Sequence, residues 1–128
     1  MRILLDTQLF VWALTDPKRL SAAALLFIED RQNALVFSAA SLWEVGIKRG
    51  LGKTGFQFDP RVLRRTMLDN GYEELPVLGF HAVAVDSLPP IHKDPFDRIL
   101  IAQAMVEGIT LLTSDAVIAQ YPGPVRKV

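Results

Sequence analysis

The sequence predicts a single α/β domain whose parallel sheet is covered by helices on both faces. Short apolar segments alternate along the chain with longer segments of helical periodicity, as expected for repeated strand–helix units. The strand candidates are apolar throughout, which is typical of strands that are buried on both faces. The chain has 128 residues and half of them are hydrophobic, so we expect one domain over residues 1–128 with a sizeable core.

In the first half of the chain, the predicted elements are separated by clear boundary residues. Asp16-Pro17 stops the first helix, Ser21 caps the second, and Gly50 ends the third. Pro60 is a favourable first residue for a fourth helix. The predicted elements are, in order, a strand at 3–5, a helix at 9–14, a helix at 21–31, a strand at 34–37, a helix at 38–49 and a helix at 60–69.

In the second half, prolines and glycines again mark the boundaries. Three prolines between residues 89 and 95 require a loop, and Gly108 ends the helix that follows it. The predicted elements are a weak strand at 72–76, a short helix at 79–87, a helix at 96–107, a strand at 110–113, a short helix at 115–120 and an edge strand at 125–128.

Composition excludes several classes of site. The chain has no cysteine, so it has no disulfide framework, no zinc–thiolate site and no cysteine nucleophile. The apolar start is too short for a signal peptide and is interrupted by Asp6, and no apolar run is long enough to span a bilayer. We therefore expect a cytoplasmic protein without membrane contact. The balance of 14 basic and 14 acidic residues argues mildly against a general basic nucleic-acid binder.

Four acidic residues are predicted to meet at one edge of the sheet. Asp6 and Asp115 directly follow strand candidates, and Glu44 lies on the helix after the second strand. Asp97 lies in the first turn of a later helix and reaches the same edge if the proline-rich loop carries the chain back across it. In an open parallel sheet, ligands bind outside the carboxyl ends of the strands, so these side chains are expected to converge.

A cluster of carboxylates needs a counter-ion, because the charges repel one another and raise one another's pKa values. Mg²⁺ or Mn²⁺ is the natural partner, since hard divalent cations prefer oxygen ligands. A carboxylate-held metal beside an open cleft suits phosphodiester hydrolysis, which indicates a nuclease.

Helix capping explains the same acids one by one. Asp6, Asp94 and Asp115 each precede a predicted helix, where Asp is a favoured N-cap. Ser41 and Glu44 have the spacing of a capping box. From the residues alone, a metal site and a set of structural caps are about equally good interpretations.

Other residues with possible chemistry are predicted to be structural. Lys48 follows Glu44 by four residues, so an ion pair on a helix is expected before a phosphate contact. His81 and His92 lack a metal-ligand spacing and are not expected to be ligands. Trp43 is expected in the core, and Arg98 is expected to be solvated.

Four segments match one protein family in order and spacing. They are residues 4–7 (LLDT), 38–48 (SAASLWEVGIK), 92–104 (HKDPFDRILIAQA) and 112–115 (LTSD), with Asp-Pro-Phe-Asp-Arg as the most specific part. Through them the sequence resembles the PIN-domain nucleases, and within that family the VapC-type toxins of toxin–antitoxin modules.

The resemblance implies a PIN-like three-layer α/β/α sandwich with a parallel five-stranded sheet, and Mg²⁺- or Mn²⁺-dependent endoribonuclease activity on RNA. It also implies a homodimer and a cognate antitoxin that inserts a segment into the active-site groove. The family's four acids fall on Asp6, Glu44, Asp97 and Asp115. Asp94 is an additional acid, which we assign first to helix capping and second to the metal shell.

As a hypothesis, Asp6 and Asp97 bind the metal, while Glu44 and Asp115 act through water and Glu44 accepts the proton of the attacking water. Two alternatives stay open. One is another α/β phosphoryl-transfer protein, a receiver domain or a haloacid-dehalogenase-like phosphatase, although Gln8 stands where the phosphatase pattern needs a second Asp. The other is a non-catalytic binding module with the same fold, against which the four intact acids argue.

Overall fold

Five parallel strands form the centre of the computed structural model, which describes all residues from Met1 to Val128. They are β1 (Arg2–Leu5), β2 (Ala34–Ser38), β3 (Glu73–Leu75), β4 (Thr110–Thr113) and β5 (Val125–Lys127). The strand order is β3-β2-β1-β4-β5, and every neighbouring pair is parallel. The predicted five-stranded parallel sheet is therefore confirmed, including its two short edge strands.

Six helices connect the strands and cover the sheet. They are α1 (Thr7–Thr15), α2 (Ala22–Glu29), α3 (Ala39–Gly50), α4 (Pro60–Asp69), α5 (Gly79–Ala84) and α6 (Pro95–Glu107), with 3₁₀ turns at Pro17–Arg19, Val85–Ser87 and Ile118–Gln120. The result is the three-layer sandwich that the sequence predicts. No helix combines the length and the hydropathy needed to cross a bilayer.

The central strand β1 supplies both halves of the core, because successive strand residues point to opposite faces of the sheet. Ile3 and Leu5 pack with residues of α1, α2, α3 and α4. Leu4 points the other way and packs with residues of α6. All three side chains have no exposed surface. This two-sided burial explains why Ile3, Leu4 and Leu5 are all apolar, whereas the short edge strands β3 and β5 carry charged residues.

Helix α3 begins earlier than the capping-box interpretation requires. Its N-cap is Ser38, whose Oγ accepts a hydrogen bond from the Ala40 N–H at 3.0 Å. Ser41 is instead fully buried, and its Oγ accepts a hydrogen bond from Thr7 Oγ1 at 2.9 Å. The alternative interpretation of Ser41 and Glu44 as a capping box is therefore wrong. Glu44 lies in the middle of the helix, so its carboxylate does not cap the first turn.

The expected core position of Trp43 is also wrong. Its side chain is 67% exposed and contacts Phe96 edge to face, with ring centroids 5.2 Å apart. The buried face of α3 consists of Ala40, Ser41, Glu44 and Val45. Successive residues of a helix are rotated by about 100°, so position 43 points away from that face. The side chain of Trp43 therefore lies outside the core.

Gln103 joins α6 to the sheet through buried hydrogen bonds, and its replacement is expected to destabilise the protein. The side chain has no exposed surface; Ser38 Oγ donates to its Oε1 at 2.6 Å, and its Nε2 donates to the Pro76 carbonyl at 3.2 Å. Gln103→Leu should lower the free energy of unfolding by about 2 kcal/mol, because the buried Ser38 hydroxyl loses the acceptor of its proton and the Pro76 carbonyl loses a donor. Urea unfolding measures this change. The control Met105→Leu, at a 44% exposed position of the same helix, should change it by less than about 0.5 kcal/mol. Equal stability of the two variants would contradict the prediction.

Candidate active site

One open cavity at the carboxyl end of the sheet is lined by all four predicted site carboxylates. Its volume is 480 Å³. It lies beside β1, where the strand order reverses: the chain runs first to β2 and β3 on one side and later to β4 and β5 on the other. Such a switch point is where open α/β sheets bind ligands. The acidic lining residues are Asp6, Glu44, Asp94, Asp97 and Asp115.

Asp6 directly follows β1 and is only 3% exposed. Its Oδ1 accepts the Leu9 N–H at 2.8 Å and thereby caps α1, and its Oδ2 accepts a hydrogen bond from Thr113 Oγ1 at 2.5 Å. The pKa of Asp6 is nevertheless raised from its ordinary value of 3.8 to about 6, because burial and, to a smaller extent, the charges of Asp115 and Glu44 outweigh these two hydrogen bonds. Asp6 is therefore both a cap and a cavity residue.

Asp97 lies in the first turn of α6, and the loop before this helix does carry the chain back across the sheet edge. Burial, together with the negative charges of neighbouring carboxylates, raises the pKa of Asp97 from its ordinary value of 3.8 to about 7. The negative charges of Asp94, Glu44, Asp6 and Asp115 contribute in that order after burial. The carboxylates that are far apart in sequence are thus close enough in space to repel the charge of Asp97.

Glu44 projects from the buried face of α3 and is 3% exposed. Its Oε2 is hydrogen-bonded to Lys48 Nζ, which is the ion pair that the sequence predicts. Its Oε1 is buried and has no hydrogen-bond partner among the protein's own groups. A buried acceptor without a partner costs about 1–3 kcal/mol. This orphan oxygen, in a set of carboxylate oxygens, fits a hard divalent cation such as Mg²⁺ or Mn²⁺, held directly or through water.

Asp115 and Asp94 both make local backbone contacts. Asp115 Oδ1 accepts the Val117 N–H at 2.7 Å, and the Asp115 N–H donates to Thr113 Oγ1 at 3.0 Å. The helix predicted over 115–120 is only the 3₁₀ turn at Ile118–Gln120.

Asp94 caps α6, as the sequence predicts. Its Oδ1 accepts the Phe96 N–H at 2.8 Å and the Asp97 N–H at 3.3 Å.

His92 is a cavity residue that the sequence analysis set aside. Its Nε2 lies 3.1 Å from Asp97 Oδ2 and 3.9 Å from Asp115 Oδ2. One ligand atom from each of these three residues lies within 4.8 Å of the other two, which is close enough for the three to share a metal ion. His92 lies within the matched segment 92–104, two residues before the capping Asp94. That position was the available signal, but no ligand spacing to another residue accompanied it.

Arg98 is not solvated as expected. Its guanidinium turns inward and donates to the carbonyl oxygen of Pro89 at 2.9 Å, to Tyr121 Oη at 3.1 Å and to the carbonyl oxygen of Val85 at 3.2 Å. Backbone carbonyls of the loop provide an acceptor set that residue order alone does not reveal. Arg98 therefore holds together the loop that carries His92.

Comparison with known proteins identifies a family whose sequence model matches the chain. A sequence model of the family described as PIN domain matches residues 3–124. Among curated proteins, no sequence matches the chain.

Several solved structures are similar in fold. VapBC2 from Rickettsia felis, bound to a DNA fragment from its promoter, superposes with a TM-score of 0.74 at 16% identity, covering 100% of this chain and 99% of the other. DNA-bound VapBC from Salmonella typhimurium gives 0.67 at 15% identity, covering 99% and 98%. A toxin–antitoxin complex from Klebsiella pneumoniae gives 0.63 at 17% identity, covering 98% and 99%. At these identities the likeness shows a shared fold.

Proposed function

The chain belongs to the PIN domain family, and we propose that it is a metal-dependent endoribonuclease that acts as the toxin of a toxin–antitoxin pair. The observation that carries the nuclease proposal is the convergence of Asp6, Glu44, Asp97 and Asp115 on one cavity at the switch point of the sheet. The structural similarity to VapBC and to a toxin–antitoxin complex supports the toxin role.

The proposed metal is Mg²⁺, with Mn²⁺ as the alternative. Asp6 and Asp97 are the proposed direct ligands, and Glu44 and Asp115 are proposed to act through bound water. The raised pKa values of Asp6 and Asp97 support this assignment, because both carboxylates are poorly solvated and repelled by like charges. When bound, the ion supplies Lewis-acid polarisation of a phosphoryl oxygen and lowers the pKa of the attacking water.

The protein's own groups are proposed to accept a proton and to orient the carboxylates. Glu44 Oε1 has no hydrogen-bond partner and is the proposed acceptor for a proton of the attacking water. Lys48 holds the other oxygen of Glu44, so the carboxylate cannot rotate freely. Thr113 Oγ1 donates to Asp6 Oδ2 and accepts the backbone N–H of Asp115. These contacts orient the carboxylates of Glu44 and Asp6, and hold the backbone at Asp115, before any substrate arrives.

The proposed partners are an RNA substrate, a cognate antitoxin and a second copy of the chain. The antitoxin is proposed to neutralise the toxin by occupying the active-site groove. RNA cleavage by such a toxin takes place in the cytoplasm, which is the location that we propose.

The two alternative interpretations are weaker. A receiver domain has the strand order 2-1-3-4-5, whereas this sheet has the order 3-2-1-4-5. In a non-catalytic binding module, the buried and mutually repelling carboxylates that raise the pKa of Asp97 would destabilise the fold without taking part in a reaction. Calorimetric titration with Mg²⁺ distinguishes the module from the nuclease, because the module is expected not to bind the ion.

Removal of the metal is expected to abolish RNA cleavage reversibly. The purified protein, free of other chains, is incubated with total cellular RNA, because the target sequence is not assumed. Cleavage in Mg²⁺ or Mn²⁺ should fall by about a hundredfold or more in EDTA and return when the ion is restored in excess. Cleavage that persists in EDTA would contradict the proposed metal dependence.

A further inference from the structure

We propose that His92 is a substrate-contacting residue whose neutral imidazole donates its Nε2–H to an oxygen of the scissile phosphate. This inference rests on the proposed nuclease function and adds a residue outside the four acids. It also assigns His92 a role other than metal binding, although its Nε2 lies beside two carboxylates that are proposed to hold the metal.

The protonation of the ring follows from its other nitrogen. The Asp94 N–H donates a hydrogen bond to His92 Nδ1 at 3.1 Å. A nitrogen that accepts a hydrogen bond carries no proton, so the ring is neutral and its proton is on Nε2. Metal binding through Nε2 requires the proton on Nδ1, where it would face the Asp94 N–H. In this arrangement His92 is therefore a donor and not a ligand.

The donor lies at the wall of the cavity that is proposed to bind the scissile phosphate. Nε2 lies 3.1 Å from Asp97 Oδ2 and 3.9 Å from Asp115 Oδ2, at the wall of the 480 Å³ cavity. Five carboxylates line this cavity, and Lys48, the only Lys or Arg in its lining, is already paired with Glu44. An incoming phosphodiester is an anion that needs donors. His92 provides an N–H beside the proposed metal ligands without the cost of a further buried charge.

The backbone of His92 is fixed by buried contacts. Its N–H donates to Tyr121 Oη at 2.7 Å, and Tyr121 is only 4% exposed. Arg98 donates to the same Tyr121 Oη at 3.1 Å and to the Pro89 carbonyl at 2.9 Å. The donor is thus held in place before substrate binds, which is the condition under which a single hydrogen bond contributes most to transition-state stabilisation.

Two substitutions separate the proposed substrate contact of His92 from its structural contacts within the loop. In His92→Asn, the amide oxygen occupies the position of Nδ1 and keeps the acceptor for the Asp94 N–H, but no donor reaches the cavity. In His92→Gln, the longer amide brings an N–H close to the position of Nε2. His92→Asn should lower kcat/KM for RNA cleavage by about ten- to a hundredfold, as for loss of a hydrogen bond to a charged group. His92→Gln should recover most of this loss.

Mg²⁺ affinity, measured by calorimetry with the metal alone, should stay within about threefold of the wild type in both variants, since second-sphere metal contacts cost about ten- to a hundredfold in affinity. Three results would overturn the proposal. The first is full cleavage by His92→Asn, which would limit His92 to the loop. The second is a tenfold or larger loss of Mg²⁺ affinity in His92→Asn, which would make His92 part of the metal site. The third is equal loss of cleavage in the Asn and Gln variants.

A spectroscopic test does not depend on RNA cleavage. Nitrogen-15 shifts of the His92 ring should show a protonated Nε2 and an unprotonated Nδ1, both before and after addition of Mg²⁺. Inorganic phosphate added with Mg²⁺ should shift the Nε2 resonance. Loss of the Nε2 proton on Mg²⁺ addition, or no response to phosphate, would overturn the proposal. If the wild type binds phosphate in this way but cleaves no RNA, the nuclease proposal fails and the anion contact of His92 stands.

Discussion

Asp6→Asn is expected to abolish RNA cleavage while making the metal-free protein more stable. The variant removes a proposed metal ligand, so cleavage should fall by about a hundredfold or more. Asn is as good an N-cap as Asp, so the contact to the Leu9 N–H is kept. The buried charge disappears, and the pKa of Asp6, raised from 3.8 to about 6, indicates a gain of about 2–3 kcal/mol in the free energy of unfolding at neutral pH.

The measurements are RNA cleavage in Mg²⁺ and urea unfolding in EDTA on the same preparations. Asp69→Asn is the matched control, because Asp69 is exposed and lies outside the cavity. It should leave both quantities unchanged. Undiminished cleavage by Asp6→Asn would exclude Asp6 as a ligand. Lower stability of Asp6→Asn in EDTA would contradict the prediction that the Asp6 charge destabilises the metal-free fold.

The metal-free protein is expected to lose stability as the pH rises from about 4 to about 7. The pKa values of Asp6 and Asp97 are raised to about 6 and about 7, so between pH 4 and 7 the folded protein holds more protons than the unfolded chain. Under that condition the free energy of unfolding falls with pH. The two coupled groups contribute stability that is present below the unfolded pKa values and is lost as the pH rises through the folded ones.

Divalent ions should cancel this loss, because they bind the ionised carboxylates of the folded state. Urea unfolding in EDTA and in Mg²⁺, at about pH 5 and at about pH 7.5, gives the four stabilities required. The difference between EDTA and Mg²⁺ should be small at the lower pH and large at the higher one. The double variant Asp6→Asn/Asp97→Asn should be nearly insensitive to the ion. A metal-free protein that gains stability up to neutral pH would contradict the prediction.

The layered fold was predictable because the strands carry a simple signal. Leu4 and its neighbours Ile3 and Leu5 are apolar on both faces of β1, and only a covered parallel sheet buries such a strand completely. Helix starts at Ser21, Pro60 and Pro95 followed standard capping patterns. The strand order was not predictable from these residues, since it is set by which strands pair across long stretches of sequence. It is the order that brings the segments after β1 and β4 side by side.

The candidate site was predictable only in part. Asp6 and Asp115 could be predicted because each follows the end of a strand. Capping was an equally good explanation, and Asp6 does cap α1. Glu44 was obscured by the spacing of Ser41, which suggested a cap that α3 does not use. His92 and Arg98 lie on or beside an irregular loop, and there the contacts depend on backbone carbonyls and on Tyr121 from a distant segment. Residue patterns do not encode such contacts.

The pairing of β1 with β4 also governs when the cavity can form during synthesis. Its residues come from both ends of the chain, since Asp6 follows the first strand and Asp115 follows the fourth. Chains fold from the N-terminus as they emerge from the ribosome, and Ile3, Leu4 and Leu5 must wait for Thr110, Leu111 and Leu112 before one side of β1 is paired. A nascent chain therefore has no assembled site. If the chain is the ribonuclease that we propose, it is harmless to the ribosome–messenger complex that is making it until almost the whole chain has been translated.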